Sequence, residues 1–235
     1  RNSPAAAGMN KADSTRHADE RREGRRRALA LGAVAGAAAA GFAALAAAVA
    51  RRDTAKVDEA VRKATGADPD SDAHDAAESI KKAGKWYTYV PAAAAASTAV
   101  LLARGADGNG RSRRVGAGAL MLTGTLATAL NPAFDKVLPQ PPAPPGHPSR
   151  SKAVFPSGHA FGPGAVSLAT AYVLSREGVA HPAIAFPAAL AVPAVTAGAR
   201  MLVQKHWASD VLGGLVGGIA VAALCLSAYE ATRLE

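Results

Sequence analysis

The chain has 235 residues, 49% of them hydrophobic and only 5% aromatic, enough for one substantial domain. Its apolar residues arrive in long alanine-rich blocks rather than short amphipathic periods, which is how a membrane protein reads and an ordinary soluble fold does not. The 27 Lys and Arg against 18 Asp and Glu do not make a nucleic-acid binder, because the basic residues cluster in RREGRRR and RGADGNGRSRR beside apolar runs, with no aromatic or glycine-rich recognition pattern.

Residues 1–27 form a basic segment expected to be disordered, and residues 1–8, ahead of Met9, read as an expression scar and are set aside. Ala28–Ala50 is the first candidate membrane span, since a hydrocarbon core needs about 20 apolar residues. With Arg25-Arg26-Arg27 before it and Ala48-Val49-Ala50 at its end it also resembles a signal peptide, but its apolar run exceeds the roughly 7–15 residues of that class, so a retained helix is expected. Residues 51–85 carry mixed charge and are expected to be helical around KVDEAVRKA. Spans are then predicted at Trp86–Ala103, Val115–Leu130, Ala160–Leu174, Pro182–Ala199 and Val211–Tyr229. The expectation is an all-α, six-span transmembrane bundle in which residues 28–235 form one membrane domain.

Orientation follows from the basic loops. With the Arg-rich N-terminus cytoplasmic, the loop around Arg111, Arg113 and Arg114 returns to the same side after two crossings, as the positive-inside rule asks. Segment 51–85 and loops 131–159 and 200–210 then share the outer face. Cys225, the single cysteine, lies inside an apolar segment and cannot form an internal disulfide. In DPDSDAHD, Asp68, Asp70 and Asp72 alternate like the start of a calcium loop, but Ala73 stands where its glycine belongs and Ser79 at the twelfth position, so a solvated acidic turn is expected. Gly213 with Gly217, and Gly214 with Gly218, are spaced for close helix packing. The prolines between Pro139 and Pro148 read as a stiff connector.

A polar constellation remains. In Phe155-Pro156-Ser157-Gly158-His159-Ala160, a proline, a small hydroxyl and a glycine precede a predicted helix, the composition of a helix N-terminus whose N–H groups meet an anion. Ser157 serves equally well as a plain N-cap. His159 adds a group that exchanges protons near neutral pH. In ARMLVQKHWASDVLGG, Arg200 offers a planar fork suited to phosphate, and His206 and Asp210 share a face if that stretch is helical. A carboxylate so placed orients an imidazole and stabilises its cation, as a nucleophilic or basic histidine requires. The competing reading is an interfacial histidine beside an aspartate favoured by a helix dipole.

Pro156-Ser157-Gly158-His159 followed by Arg200-x5-His206-x3-Asp210 resembles the second and third signature motifs of the type 2 phosphatidic acid phosphatase superfamily, which includes vanadium-dependent haloperoxidases. The six-span layout is similar to its integral membrane branch from about residue 28 to 230. Two positions depart from the pattern. Ala199 stands where the family usually has serine, and in the first motif, Lys-x6-Arg-Pro, Lys136 and Pro144 are in register but the arginine is Ala143. Arg150 and Lys152, shortly before Pro156, are candidate substitutes.

The resemblance implies a metal-independent phosphoryl transfer without a cofactor. Lys136, Ser157, Gly158 and Arg200 would hold the phosphate, His206, oriented by Asp210, would form a phosphohistidine, and His159 would protonate the leaving oxygen and then activate water. The implied substrate is a phospholipid or polyprenyl phosphate in a bacterial cell membrane, with the site facing outward. A non-hydrolytic relative that binds or translocates phospholipid, with a degenerate first motif, is the alternative. A vanadate-dependent peroxidase shares the pocket chemistry, but those enzymes are typically larger and soluble.

Overall fold

The computed structural model describes residues 4–103, 110–138, 140–145 and 155–233, with side chains from Ala18 onward in the first helix. The elements are α1 (Pro4–Ala50), α2 (Ala55–Thr65), α3 (Asp72–Ser79), a 3-10 turn (Ile80–Lys82), α4 (Trp86–Leu102), α5 (Gly110–Val137), α6 (Gly158–Arg176), α7 (Pro182–Leu202) and α8 (Ala208–Thr232). No strand occurs among the described residues. The all-α expectation holds, and α1 (from Ala18), α7 and α8 are each long and apolar enough to cross a membrane. Their outward faces are apolar as well, with Leu29 68%, Ile184 71% and Leu190 60% exposed, a surface suited to lipid rather than water.

The first helix begins well before the first apolar block. Residues 4–27, expected to be disordered, continue α1 as helical backbone. Ala, Lys, Glu and Arg are strong helix formers, and Arg27 Nε donates to Glu23 Oε1 at 2.9 Å, one turn back. Two helices also outrun their expected ends. The helix α5 carries through Pro132 to Val137, so Lys136 sits on a helix rather than in a loop, and α7 continues through Arg200 to Leu202. KVDEAVRKA is helical as expected, within α2. The acidic turn starts α3, with Ser71 Oγ accepting the His74 N–H at 3.3 Å.

The helix α6 is central. It packs on α4, α5, α7 and α8, while α1 lies along α8. The α6–α8 approach depends on the glycine pairs: a Cβ on Gly214 would stand 2.5 Å from the Ser157 carbonyl oxygen, and one on Gly218 2.7 Å from that of Phe161. At Gly214 and Gly218 the two backbones approach directly, while the Phe161 ring packs against Gly217 beside them.

Each turn of the chain returns to one of two ends. At one end, Trp207 Nε1 donates to the Pro142 carbonyl at 2.8 Å, Gln140 Nε2 to that of Phe155 at 2.8 Å, and Ser209 N–H to Asp58 Oδ1 at 2.8 Å. Those contacts gather segment 51–85, the connector before α6 and the α7–α8 turn. At the other end, Ser112 Oγ donates to Glu177 Oε1 at 2.6 Å, and Arg176 Nε to the buried Glu230 Oε1 at 2.8 Å.

Candidate active site

The α7–α8 turn is built by the backbone. Gln204 takes a left-handed conformation (φ 52°), its N–H donates to the Met201 carbonyl at 2.9 Å, and the Lys205 N–H to that of Arg200 at 2.9 Å. This is a Schellman ending of α7, made with glutamine where glycine is usual. The strained backbone costs about 1–2 kcal/mol, and the Gln204 side chain is held by Arg62 Nη1, which donates to its Oε1 at 2.6 Å. The consequence is a fixed spacing: Arg200, on the last turn of α7, and Lys205 are clamped to each other through the main chain.

His206 follows immediately, but not on a helix. The helix α8 begins at Ala208, and Asp210 in its first turn accepts the Trp207 N–H through Oδ2 at 2.8 Å. The same Oδ2 lies 3.6 Å from His206 Nδ1. The carboxylate thus stands beside the imidazole at ion-pair distance rather than in a hydrogen bond, and the residues sit across a helix start instead of one turn apart on its face. Asp210 is fully buried, and its carbonyl accepts the Ser157 N–H at 2.9 Å, which ties the two motif-bearing segments together. From outside, Asp58 of α2 receives both the N–H and the hydroxyl of Ser209 at 2.8 Å, satisfying a first-turn donor of α8.

The helix α6 supplies the opposite wall. Ser157 stands at its N-cap, yet its side chain makes no capping bond, so the plain capping role is not realised. Its Oγ is buried without a hydrogen-bond partner, as are Arg200 Nε and Nη1. His159, in the first turn, faces His206 with ring centroids 5.9 Å apart, and Arg200 acts on it electrostatically. Its carbonyl accepts the Thr196 hydroxyl at 2.7 Å, which fixes α6 against α7. His159 Nε2 lies 3.1 Å from the Lys81 carbonyl oxygen. A carbonyl can only accept, so Nε2 carries the proton. Gly84 makes room for that ring, since a Cβ there would fall 2.4 Å from His159 Cδ2.

His159, His206, Asp210, Arg200 and Ser157 thus come together at one end of the bundle. Lys136 lies exposed on the last turn of α5, and no contact among the described residues joins it to either histidine or to Arg200. Arg150 and Lys152 lie outside the described residues. Asn131, Glu78 and Lys205 escaped sequence reasoning. The Asn131 carboxamide lies against the Gly158 backbone, where a Cβ would meet its Nδ2 at 2.7 Å. Glu78 of α3 forms an ion pair with Lys205 and lies 3.7 Å from Arg200 Nη1. The hydrogen bond from Lys205 holds the Glu78 carboxyl below its ordinary value, and the Lys205, Arg200 and Lys81 charges act in the same direction. No local pattern around AAESIKK marks Glu78; Lys205 and Arg200 are over a hundred positions away and meet it only in the fold.

An apolar cleft of about 710 Å³ adjoins the site, lined by Ala83 and Tyr89 on one side, Pro163 and Val166 on its floor, and Val192 and Thr196 on the other. It runs along α6 from Pro163 to Leu174, roughly 16 Å at 1.5 Å per residue. Thr196, which bonds the His159 carbonyl, lines its head.

A bundle of apolar helices carrying two facing histidines, a buried carboxylate and a buried guanidinium at one end defines a membrane protein with a polar, histidine-bearing site at that end. The chain belongs to the PAP2 superfamily, whose family model matches residues 114–233. Its fold is similar to that in the crystal structure of the first transmembrane PAP2-type phosphatidylglycerolphosphate phosphatase from Bacillus subtilis, with 23% identity, a TM-score of 0.66, and coverage of 81% of this chain and 93% of that one. Among curated proteins, none matches the chain significantly.

Proposed function

We propose that the protein is a membrane lipid phosphatase that hydrolyses a phosphomonoester or diphosphate through a phosphohistidine on His206. The observation that carries this reading is the link between the polar site and the apolar cleft: Thr196, whose hydroxyl donates to the His159 carbonyl, also lines a cleft with room for part of an acyl or isoprenoid tail. Family membership supports the phosphatase class.

The proposed chemistry proceeds in two steps. Asp210 holds the proton on His206 Nδ1, which leaves the Nε2 lone pair to attack phosphorus. As the N–P bond forms and the P–O bond to the lipid breaks, His159, entering the step as the imidazolium, gives its Nε2 proton to the departing oxygen and is left neutral. The neutral His159 then takes a proton from water as that water attacks the phosphohistidine, releasing orthophosphate and restoring both histidines. Arg200, the Ser157 hydroxyl and the first N–H groups of α6 stabilise charge on the equatorial oxygens, and their unpartnered donors suit that work. Lys136 joins them if the end of α5 draws in around the headgroup. Residues 28–235 act as one membrane domain of six spans in a bacterial cell membrane, with the site on the outer face.

Purified protein presented with phosphatidate, phosphatidylglycerophosphate and a polyprenyl diphosphate, each with and without chelator, is expected to release orthophosphate from at least one of them, the chelator making no difference. His206→Asn is expected to abolish that release while the variant elutes and melts as the parent does. Retained turnover in the variant contradicts the mechanism. Lipid binding without release by the parent favours the non-hydrolytic reading, to which Ala143 points.

A further inference from the structure

Two positions depart from the family pattern, Ala143 and Ala199, and the structure connects the second to a charged feature of the site. Ala199 packs with Ala77, Val203 and Ile80 in a small apolar cluster that seats α3 on α7. Seated there, α3 delivers Glu78 to the point where two cations of the α7–α8 turn converge. Glu78 Oε1 takes the ion pair from Lys205 and lies 3.7 Å from Arg200 Nη1, while Lys81 Nζ is 3.6 Å from Oε2. Arg200 is nine-tenths buried, and its Nε and Nη1 donate no hydrogen bond even with this carboxylate nearby. The seat thus holds a single negative charge at a distance that satisfies charge but not hydrogen bonding. A phosphate carries about −1.5 to −2 at pH 7 and three acceptor oxygens, and it matches a guanidinium fork that the carboxylate leaves unfilled.

Given the reading of Arg200 as a phosphate ligand, we propose that Glu78 occupies the seat of the substrate phosphate in the empty protein, and that an arriving phosphate displaces it and takes Lys205 as its second cation. Lys205 then supplies the charge that the first loop lacks at Ala143. The Schellman ending of α7 presets this pairing, because the Lys205 N–H is bonded to the Arg200 carbonyl whether or not the seat is filled.

The test is the binding of inorganic orthophosphate to the detergent-solubilised full chain, measured by titration calorimetry for the parent, Glu78→Gln, Lys205→Met and the double variant. Glu78→Gln keeps the side chain's size and removes the competing charge, and is expected to tighten binding about fivefold. Lys205→Met is expected to weaken binding about tenfold, both alone and in the Glu78→Gln background. Glu78→Ala is expected to shift affinity in the same direction as Glu78→Gln, and circular dichroism verifies that each variant keeps its helices. Three results overturn the proposal: unchanged or weaker binding in both Glu78 variants, a silent Lys205→Met once Glu78 is neutralised, or no orthophosphate binding by the parent and Glu78→Gln alike. Because the titration needs no turnover, the expected affinities without lipid hydrolysis would count against the phosphatase reading alone.

Discussion

Asp210 does two jobs with one oxygen. Its Oδ2 accepts the Trp207 N–H that starts α8 and faces His206 Nδ1. Asparagine can keep the first role through its carbonyl oxygen but cannot stabilise an imidazolium, so Asp210→Asn is expected to lower kcat by about a hundredfold or more with little change in melting temperature. Alanine at the same position also removes the cap, and is expected to cost a further ~1 kcal/mol of stability. Equal losses of stability in the two variants, with kcat preserved in asparagine, would reduce Asp210 to a structural residue. The His206–Asp210 pairing was legible because both residues lie within one short stretch. Its geometry was not: the spacing suggests a helical face, whereas α8 starts between the two residues and brings them together by capping. Glu78 was illegible for the opposite reason, since nothing within α3 distinguishes it from a solvated carboxylate until Lys205 arrives from the α7–α8 turn, 127 positions further along the chain.

At the scale of elements, the apolar blocks located the helices and misplaced their ends. The end of α7 illustrates why. A helix stop is normally announced by glycine, but here Gln204 adopts the left-handed conformation, and the clamp that pins it, Arg62, belongs to α2. Likewise Pro132 lies inside α5, where proline usually ends a helix. The glycine spacing of α8 was readable, and the structure gives it a purpose beyond packing. Gly214 rests on the Ser157 carbonyl, so α8, which carries Asp210, is gauged directly against the segment that carries His159. Gly214→Ala places a Cβ 2.5 Å from that carbonyl, and the two helices must separate to admit it. A shift of about 1 Å is expected to reduce kcat tenfold to a hundredfold and to lower the melting temperature as well. Parental kcat in this variant would show that the two walls are positioned independently.

Over the whole molecule, the alternation of apolar blocks and loops predicted that the unusual residues would gather at one end; Ser157, His159, Arg200, His206 and Asp210 lie together there, whereas Lys136 makes no contact with them among the described residues. The other end holds a polar network that sequence reading passed over. Glu230, with a fully buried side chain, receives Arg176 Nε at 2.8 Å and the Tyr172 hydroxyl at 2.9 Å, with Arg233 Nη1 at 3.6 Å. These residues join the ends of α6 and α8, about 26 Å from His159 along α6 at 1.5 Å per residue. Removing one partner leaves a buried charge poorly compensated, so Arg176→Met is expected to destabilise the protein by about 3 kcal/mol while kcat stays at the parental value. A variant that melts normally but turns over slowly would reverse that assignment and couple the two ends. The chemistry itself rests on the nucleophile, and the most direct test is rapid quenching of the enzyme with a radiolabelled lipid phosphate followed by phosphopeptide mapping under alkaline conditions. Acid-labile, base-stable label is predicted on His206 of the parent and none on His206→Asn; label on another residue, or turnover without any labelled protein, would contradict the account.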